Sequence, residues 1–137
     1  DGMAIAFMSD RAGAFNIWVT SPSGGAATAP TSGQGIDVGP VWSPDGSQLT
    51  FSSTRNGIGN ALFVMHADGT DVRELPTPGM NVGSGQWSPD GTRIAMVCNS
   101  GTAHICLINA DGAGLVDVSM VSPSPRPPVD LSPTWSP

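Results

Sequence analysis

The chain has 137 residues, of which 39% are hydrophobic, and its eleven acidic and five basic residues give a formal net charge of −6. A chain of this length and apolar content can bury the core of one ordinary domain. The negative charge argues against nucleic acid or an anionic membrane as a partner. The sequence has no apolar run of about eighteen residues, so it predicts no membrane insertion.

One short motif recurs along the chain. Residues Trp42–Gly46 and Trp87–Gly91 both read Trp-Ser-Pro-Asp-Gly, and the two ends, Trp135-Ser136-Pro137 and Asp1-Gly2, carry the two halves of a third copy. The motif therefore recurs about every 45 residues, a period typical of propellers and solenoids. The sequence predicts three repeats.

Each repeat predicts the same strands in the same order. An alternating strand follows each Asp-Gly, with Ile5 and Phe7, Leu49 and Phe51, or Ile94 and Met96 on one face. A second strand is apolar at consecutive positions, which indicates burial on both faces: Ile17–Val19, Leu62–Val64 and Ile105–Leu107. A weaker strand follows at about 26–29, 72–75 and 115–118, and the Trp-Ser strand completes the set. Four-stranded antiparallel sheets buried on both faces are the blades of a β-propeller.

Two further segments indicate which class of β-propeller repeat the chain resembles. Ser9–Gly13 and Ser53–Gly57 read Ser-x-Arg-x-Gly, and Ala-Asp-Gly follows the second apolar strand in two repeats. With the Trp-Ser-Pro-Asp-Gly motif, this pattern resembles the TolB-type, WD-like β-propeller repeat. The third repeat departs from it, because Cys98–Gly101 lacks the arginine. The resemblance implies an all-β fold: outer strands of blade one in residues 1–30, blade two at about 37–76, blade three at about 82–119, and a closing inner strand at about 130–137.

Three blades are too few to close a ring, since propellers typically have about four to eight. In the family that the chain resembles, the Trp-Ser strand is the innermost of its blade, so blade one lacks an inner strand that residues 130–137 could supply. We expect a head-to-tail homodimer that closes a six-bladed ring by strand exchange, with each chain giving its last strand to the other's first blade. The alternative is a fragment of a longer propeller.

Polar residues precede each inner strand: Asp37, Asn81 and Asp130. In a ring they would surround one mouth of the central channel, where carboxylate and amide oxygens could bind Ca²⁺. The alternative is that each residue caps its own turn. Arg11 and Arg55 lie in the loop after the second strand of a blade, where they could pair with blade acids or act as exposed binding contacts.

The sequence assigns no catalytic residue and no organic cofactor. His66 and His104 have no second ligand at a spacing typical of metal sites, and Asp45 and Asp90 occur in Pro-Asp-Gly, which predicts a turn role.

Cys98 and Cys106 are predicted to be diagonal neighbours on one hairpin, because a five-residue loop would place residue 98 opposite residue 104. A diagonal separation is too long for a good disulfide, so the sequence favours free buried thiols.

These observations predict a non-enzymatic propeller that serves as a binding or scaffold module. The resemblance implies a protein or peptide ligand at the channel mouth and a place in a bacterial envelope, periplasmic or extracellular. One alternative is the accessory propeller of a larger peptidase-like enzyme. Another is a minimal propeller unit that assembles with itself and binds no ligand.

Overall fold

The computed structural model describes residues 2–33, 35–57, 59–119 and 132–136. Three antiparallel sheets follow one another along these residues, and no helix occurs among them. A helix long and apolar enough to span a membrane is accordingly not found in the described ranges. The prediction of an all-β chain is confirmed.

The middle sheet has the four strands that the repeat predicts. They are β3 (Asp37–Trp42), β4 (Gln48–Ser53), β5 (Ala61–His66) and β6 (Arg73–Leu75), in that spatial order. The turn from β3 to β4 uses Gly46 at a φ of 72°, which glycine adopts without the steric cost of a Cβ. Strand β5 is buried on both faces from Leu62 to Met65, as its consecutive apolar residues predict.

The third sheet follows the same plan with an interrupted inner strand. Its strands are β7 (Asn81–Val82), β8 (Gln86–Trp87), β9 (Arg93–Asn99), β10 (Ala103–Asn109) and β11 (Val116–Asp117). Both β7 and β8 pair with β9, so they are two halves of one strand. The break falls at residues 83–85, where a side chain on Gly85 would run into Ile94. In the middle sheet, β3 has a register shift between Val38 and Val41 instead.

The first sheet is the smallest. It consists of β1 (Ile5–Ser9) and β2 (Asn16–Thr20), and the strand predicted at 26–29 is reduced to one bridge between Val19 and Thr28. The predicted closing strand is described only for residues 132–136. There the indole Nε1 of Trp135 donates a hydrogen bond to the Gln86 carbonyl of the third sheet at 2.8 Å.

Apolar side chains fill the spaces between consecutive sheets. The cluster between the first and middle sheets contains Ile17, Leu49, Phe51, Phe63 and Met65. The cluster between the middle and third sheets contains Leu62, Val64, Leu75, Val82, Trp87, Ile94, Met96, Cys98, Cys106 and Ile108. The middle sheet is thus covered on both faces, and the three sheets stack in sequence order as the predicted blades would.

Candidate functional site

The predicted site residues lie at the end of the blades where the inner strands begin, called the upper end below. Asp37 is the first residue of β3 and Asn81 the first residue of β7. Asp37 pairs with Ser53, the last residue of β4, so the loop that carries Arg55 is at the same end. Asp130 lies outside the described residues. The upper end therefore brings together Asp37 and Arg55, with Asn81 one blade away.

Asp37 is a buried carboxylate, 1% exposed, that already has a counter-ion. Its Oδ2 accepts a hydrogen bond from Arg55 Nη2 at 2.9 Å, and its Oδ1 accepts one from the Ser53 hydroxyl at 2.5 Å. Arg55 therefore pairs with an acid of its own blade. Burial of the charge is tolerated because both carboxylate oxygens are hydrogen-bonded.

Arg55 also stacks on two aromatic rings of its hairpin. Its guanidinium carbon is 5.1 Å from the Phe51 ring centroid and 4.9 Å from that of Phe63. Guanidinium groups at such distances are attracted to the negative face of the ring. Its Nε donates to the Ser53 hydroxyl at 3.0 Å, which fixes the plane of the guanidinium.

Arg11 repeats this arrangement in the first blade. Its guanidinium carbon lies 5.0 Å from the Phe7 ring and 4.7 Å from the Trp18 ring, and its Nε donates to the Ser9 hydroxyl at 3.0 Å. The Ser-x-Arg-x-Gly motif therefore encodes a clamp that ties the two strands of a hairpin together. A binding role for either arginine remains a prediction.

The third blade replaces the arginine clamp with a disulfide. The positions of Ser53, Arg55 and Phe63 are taken there by Cys98, Ser100 and Cys106. The prediction of free thiols is wrong, because Cys98 and Cys106 are bonded to each other. The predicted register is right, with Cys98 opposite His104. The twist of the hairpin brings the diagonal Cα atoms to 6.0 Å, within the range that a disulfide spans.

His104 lies beside this disulfide and is buried. Its Nδ1 is 2.9 Å from the Thr102 carbonyl oxygen, and its Nε2 is 3.2 Å from the Asp117 carboxylate. The ligand atoms of His104, Cys98 and Cys106 lie within 4.8 Å of one another, a cluster that the sequence spacing did not indicate. Its members meet because β9 and β10 pair across a hairpin. With the two sulfurs bonded to each other, their thiolates are not free to bind a metal.

Asn81 occupies an exposed position at the start of β7. Its Oδ1 accepts a hydrogen bond from the backbone N–H of Asn60 at 3.0 Å, so the side chain ties the third blade to a loop of the second. This bond reaches a loop of the neighbouring blade and does not cap the turn of Asn81 itself, and a metal-binding role for Asn81 remains a prediction.

A groove of about 330 Å³ lies between the second and third blades at the upper end. Its lining includes Asn56, Asn60, Glu74, Pro78, Met80 and Asn81. Asn56 Nδ2 donates to Glu74 Oε2 across it. The groove thus presents side-chain amides and one carboxylate beside the apolar side chains of Pro78 and Met80.

The opposite end carries the Pro-Asp-Gly turns. The Ser43 hydroxyl donates to Asp45 Oδ1 at 2.6 Å, and Ser88 does the same to Asp90. The residue two positions after each aspartate also donates hydrogen bonds to the carboxylate, from its N–H and from its hydroxyl group. Together these bonds lower the pKa of both carboxyls to about 2. Carboxylates this acidic are poor proton acceptors near neutral pH. The geometry agrees with the predicted turn role of Asp45 and Asp90.

A family model described as the TolB beta propeller domain matches residues 1–137. The chain belongs to this family. The predicted TolB-type repeat is thereby confirmed along the whole chain.

Two curated relatives have names of different kinds, one a Tol-Pal system protein and the other a peptidase. The chain is 34% identical over 124 residues, 90% of its length, to the Tol-Pal system protein TolB of Anaeromyxobacter dehalogenans (strain 2CP-1). It is 35% identical over 86 residues, 63% of its length, to the uncharacterized peptidase YuxL of Bacillus subtilis. The matches cover 27% of that TolB and 13% of YuxL, so the chain spans a minor part of both relatives.

Among solved structures, TolB from Acinetobacter baumannii aligns with a TM-score of 0.77 at 22% identity, over 87% of this chain and 30% of that protein. At this identity the likeness shows the fold alone. The stacked sheets are therefore β-propeller blades, as the repeat predicts. The relatives include proteins named as peptidases and proteins named as TolB, and both carry this module.

Proposed function

We propose that this propeller is a non-enzymatic module that binds a protein or peptide at its upper end. The groove between blades two and three carries the proposal. Its amide and carboxylate groups are exposed, so a ligand could replace the hydrogen bond between Asn56 and Glu74 with bonds of its own. The carboxylate of Asp37, by contrast, is buried and paired with Arg55. The ligand would contact loops, and the blades would hold those loops in place, an arrangement common to binding proteins with rigid scaffolds.

The chemistry of the groove favours an extended segment with a positive charge. Asn56 and Asn60 can bond to the alternating N–H and C=O groups of an extended peptide backbone. Glu74 adds a carboxylate, and the chain has a net charge of −6, so a basic residue in the ligand would be attracted and a second acidic segment repelled. Met80 and Pro78 would cover an apolar side chain of the ligand.

Selection of phage-displayed random peptides on the immobilised chain tests this proposal. Selected peptides should be basic, and calorimetry should show that Glu74→Gln weakens their binding about tenfold, as expected for a lost charge-assisted hydrogen bond. The matched control is Asp71→Asn, which also removes one exposed negative charge but lies in the β5–β6 loop at the opposite end. Recovery of no binding peptide, or equal effects of the two substitutions, would contradict the proposal.

A second candidate is the accessory propeller of a larger peptidase-like enzyme, which the similarity to YuxL favours. In that role the module would bind or admit a peptide substrate while another domain cleaves it. Incubation of the chain with the selected peptides, followed by mass spectrometry, should show no cleavage. Cleavage that survives further purification would overturn the proposal that the module is non-enzymatic.

The calcium ion expected from the sequence remains a prediction. Arg55 is the existing counter-ion of Asp37, so Ca²⁺ would have to displace it or bind beside it. The variant Arg55→Leu should therefore bind Ca²⁺ more tightly than the wild-type chain in a calorimetric titration with CaCl₂. Absence of heat from both proteins would exclude calcium at this position.

A periplasmic or extracellular location is part of the proposal. Disulfides persist in oxidising compartments and are rare in the cytosol, and Cys98 is bonded to Cys106. Protein taken directly from its native cells and treated with a thiol-reactive maleimide should remain unlabelled until it is reduced. Immediate labelling of both cysteines would contradict this location. The third alternative, a propeller unit that assembles with itself and binds no ligand, would be favoured if neither peptide nor calcium bound.

A further inference from the structure

Four side chains of metal-binding type share one face of the third blade. Where β9 pairs with β10, Cys98 lies directly opposite His104, and where β10 pairs with β11, Cys106 lies directly opposite Asp117. Residues opposite each other across antiparallel strands lie on the same face of the sheet, as do residues two positions apart on one strand, such as His104 and Cys106. The backbone register therefore gathers two sulfurs, an imidazole and a carboxylate at adjoining positions.

The side chains at these positions converge. The ligand atoms of Cys98, His104 and Cys106 lie within 4.8 Å of one another, and the Nε2 atom of His104 is 3.2 Å from the Asp117 carboxylate. The two cysteines and the histidine are buried, whereas the Asp117 side chain is 27% exposed. The group thus lies inside the blade and meets solvent at its carboxylate.

Hydrogen bonding leaves the Nε2 atom of His104 available to a metal. The Nδ1 atom is 2.9 Å from the Thr102 carbonyl oxygen, and because a carbonyl can only accept, the hydrogen lies on Nδ1. Metal-binding histidines usually make such a bond, which fixes the ring and leaves the other nitrogen for the metal. Nε2 and the Asp117 carboxylate then face each other as two acceptors, which a cation between them stabilises. That cation is either a proton on Nε2 or a metal ion.

The same positions in the middle blade carry only one of these donor types. Ser53, Ala61 and Phe63 lie there in place of the two cysteines and the histidine. The carboxylate recurs as Glu74, which is opposite Phe63. A disulfide needs only the two cysteines and gives no reason for the histidine beside them, whereas metal binding accounts for all three changes.

The donor set suits zinc. Thiolates and imidazole favour Zn²⁺, whereas Ca²⁺ and Mg²⁺ take oxygen ligands. Tetrahedral zinc with bonds of about 2.0–2.1 Å to nitrogen and oxygen holds those two atoms about 3.3 Å apart, close to the 3.2 Å between His104 and Asp117. Two thiolates on the same ion lie about 3.8 Å apart. Rotation about the Cα–Cβ bonds separates the sulfurs that far while the Cα atoms of Cys98 and Cys106 stay 6.0 Å apart.

The backbone keeps the four positions together when the disulfide is reduced. Strands β9 and β10 pair along their whole length, Arg93–Asn99 with Ala103–Asn109, and both cysteines belong to the apolar cluster between the middle and third blades. A dithiol reductant converts the disulfide into two thiols and is itself oxidised to a disulfide. Zinc then forms two Zn–S bonds, and the two thiol protons pass to solvent.

We propose that the third blade contains a redox-gated zinc site, in which reduced Cys98 and Cys106 bind Zn²⁺ together with His104 Nε2 and the Asp117 carboxylate. In the oxidised chain the disulfide closes the site, because neither sulfur is a thiolate. Zinc thus replaces one cross-link between β9 and β10 with another that also reaches β11. The site is separate from the groove beside Glu74, so this proposal and the peptide-binding proposal can fail independently.

Titration of the reduced chain with ZnCl₂ tests the site. The chain is reduced with a dithiol, separated from the dithiol without oxygen, and titrated in a calorimeter. One Zn²⁺ should bind per chain, and CaCl₂ should not compete with it. The oxidised chain, handled in the same way, should show no comparable binding. A reduced chain that binds no zinc, or equal binding by the two forms, would overturn the proposal.

Substitutions in the reduced chain identify the ligands. His104→Ala should weaken zinc binding by more than about 100-fold, because loss of a residue that only orients a ligand already costs about 10–100-fold. The matched control is His66→Ala, which removes the other histidine of the chain, at the end of β5 in the middle blade, and should bind as the wild type does. Asp117→Asn should weaken binding about 10–100-fold, whereas Asp111→Asn, which changes an exposed acid of the β10–β11 turn, should not. Equal effects within either pair would contradict the assigned ligands.

X-ray absorption spectroscopy of the zinc-loaded wild-type chain needs no substitution, so it decides the ligand set even where a variant fails to fold. The spectrum should show two sulfur ligands and two nitrogen or oxygen ligands at each zinc ion. Four sulfur ligands would mean that two chains share one zinc ion, and a spectrum without sulfur would place the metal elsewhere. Either of these spectra would overturn the proposal.

Discussion

Replacement of Arg55 by alanine should destabilise the protein far more than the same replacement of Arg11. The two arginines occupy equivalent turns, stack on two rings each and bond to the serine two residues before them. They differ in one contact, because Arg55 also neutralises the buried Asp37. Because Arg11 is exposed and Arg55 is half-buried, a double-mutant cycle with Asp37 is also needed to isolate the effect of the ion pair.

The expected magnitudes follow from these contacts. Loss of an exposed guanidinium stack costs about 0.5–1 kcal/mol, so Arg11→Ala should cost about 1 kcal/mol. Removal of one partner from a buried ion pair costs about 3–5 kcal/mol, because the other charge is left uncompensated. Since the Arg55 side chain is 22% exposed, the lower end applies, and Arg55→Ala should cost about 3 kcal/mol.

Urea unfolding at pH 7, followed by tryptophan fluorescence at one protein concentration, measures both values. In the Arg55→Ala background, Asp37→Asn should restore about 1–2 kcal/mol of the free energy of unfolding, because it removes the unpaired buried charge. In the wild-type chain the same substitution should lower the free energy of unfolding. A double-mutant cycle gives this coupling directly. Equal costs for Arg55→Ala and Arg11→Ala, or a coupling near zero, would refute the assignment of Asp37 as the residue that distinguishes the two clamps.

Three further predictions concern the third blade. Reduction of the bond between Cys98 and Cys106, eight positions apart, should lower the free energy of unfolding by about 2.5 kcal/mol from loop-closure entropy; identical urea midpoints with and without reductant would contradict this. The pKa of Asp90 is lowered in the folded state from 3.8 to about 2, so its stabilising effect is complete above pH 3.8 and is lost as the pH falls through 2. Asp90→Asn should therefore flatten the fall of the urea midpoint between these pH values, and an unchanged slope would count against the assignment. Gly85→Ala should cost about 1–3 kcal/mol through overpacking, because the added methyl would meet Ile94; full stability in urea would show that Ile94 moves aside.

Much of each blade could be predicted from the sequence because its signals are local. The alternation around Leu49 and Phe51, the consecutive apolar residues of β5 and the Pro-Asp-Gly turns act within a few residues, and the strands follow them. The prediction was least accurate where the sequence pattern is weakest, because the strand predicted at 26–29 forms only a single bridge, at Thr28. That segment lies at the outer edge of the smallest sheet, where few neighbouring side chains pack against it and stabilise an extended backbone.

The candidate site was predicted less well, because its contacts join residues far apart in the chain. Position alone placed Asp37 and Asn81 at the upper end, but it could not show that Asp37 has Arg55 as its partner. The hairpin register of Cys98 and Cys106 was predicted, yet the distance between them depends on strand twist, which the residue types do not encode. The groove beside Glu74 is formed by the β4–β5 loop and the connection from β6 to β7, and neither segment carries a signature of it.

The spacing of the Trp-Ser-Pro-Asp-Gly motif and the burial pattern of the strands between its copies were together sufficient to predict the fold class and the order of strands in the middle blade, because each repeat carries the same local turns. Only the tertiary structure decided which side chains meet between and across strands. It showed a disulfide in place of an arginine clamp, a buried ion pair at Asp37, and a buried indole N–H of Trp42 with no acceptor among the described residues. The physical reason is that twist and packing between blades set these contacts, and both depend on all three sheets together.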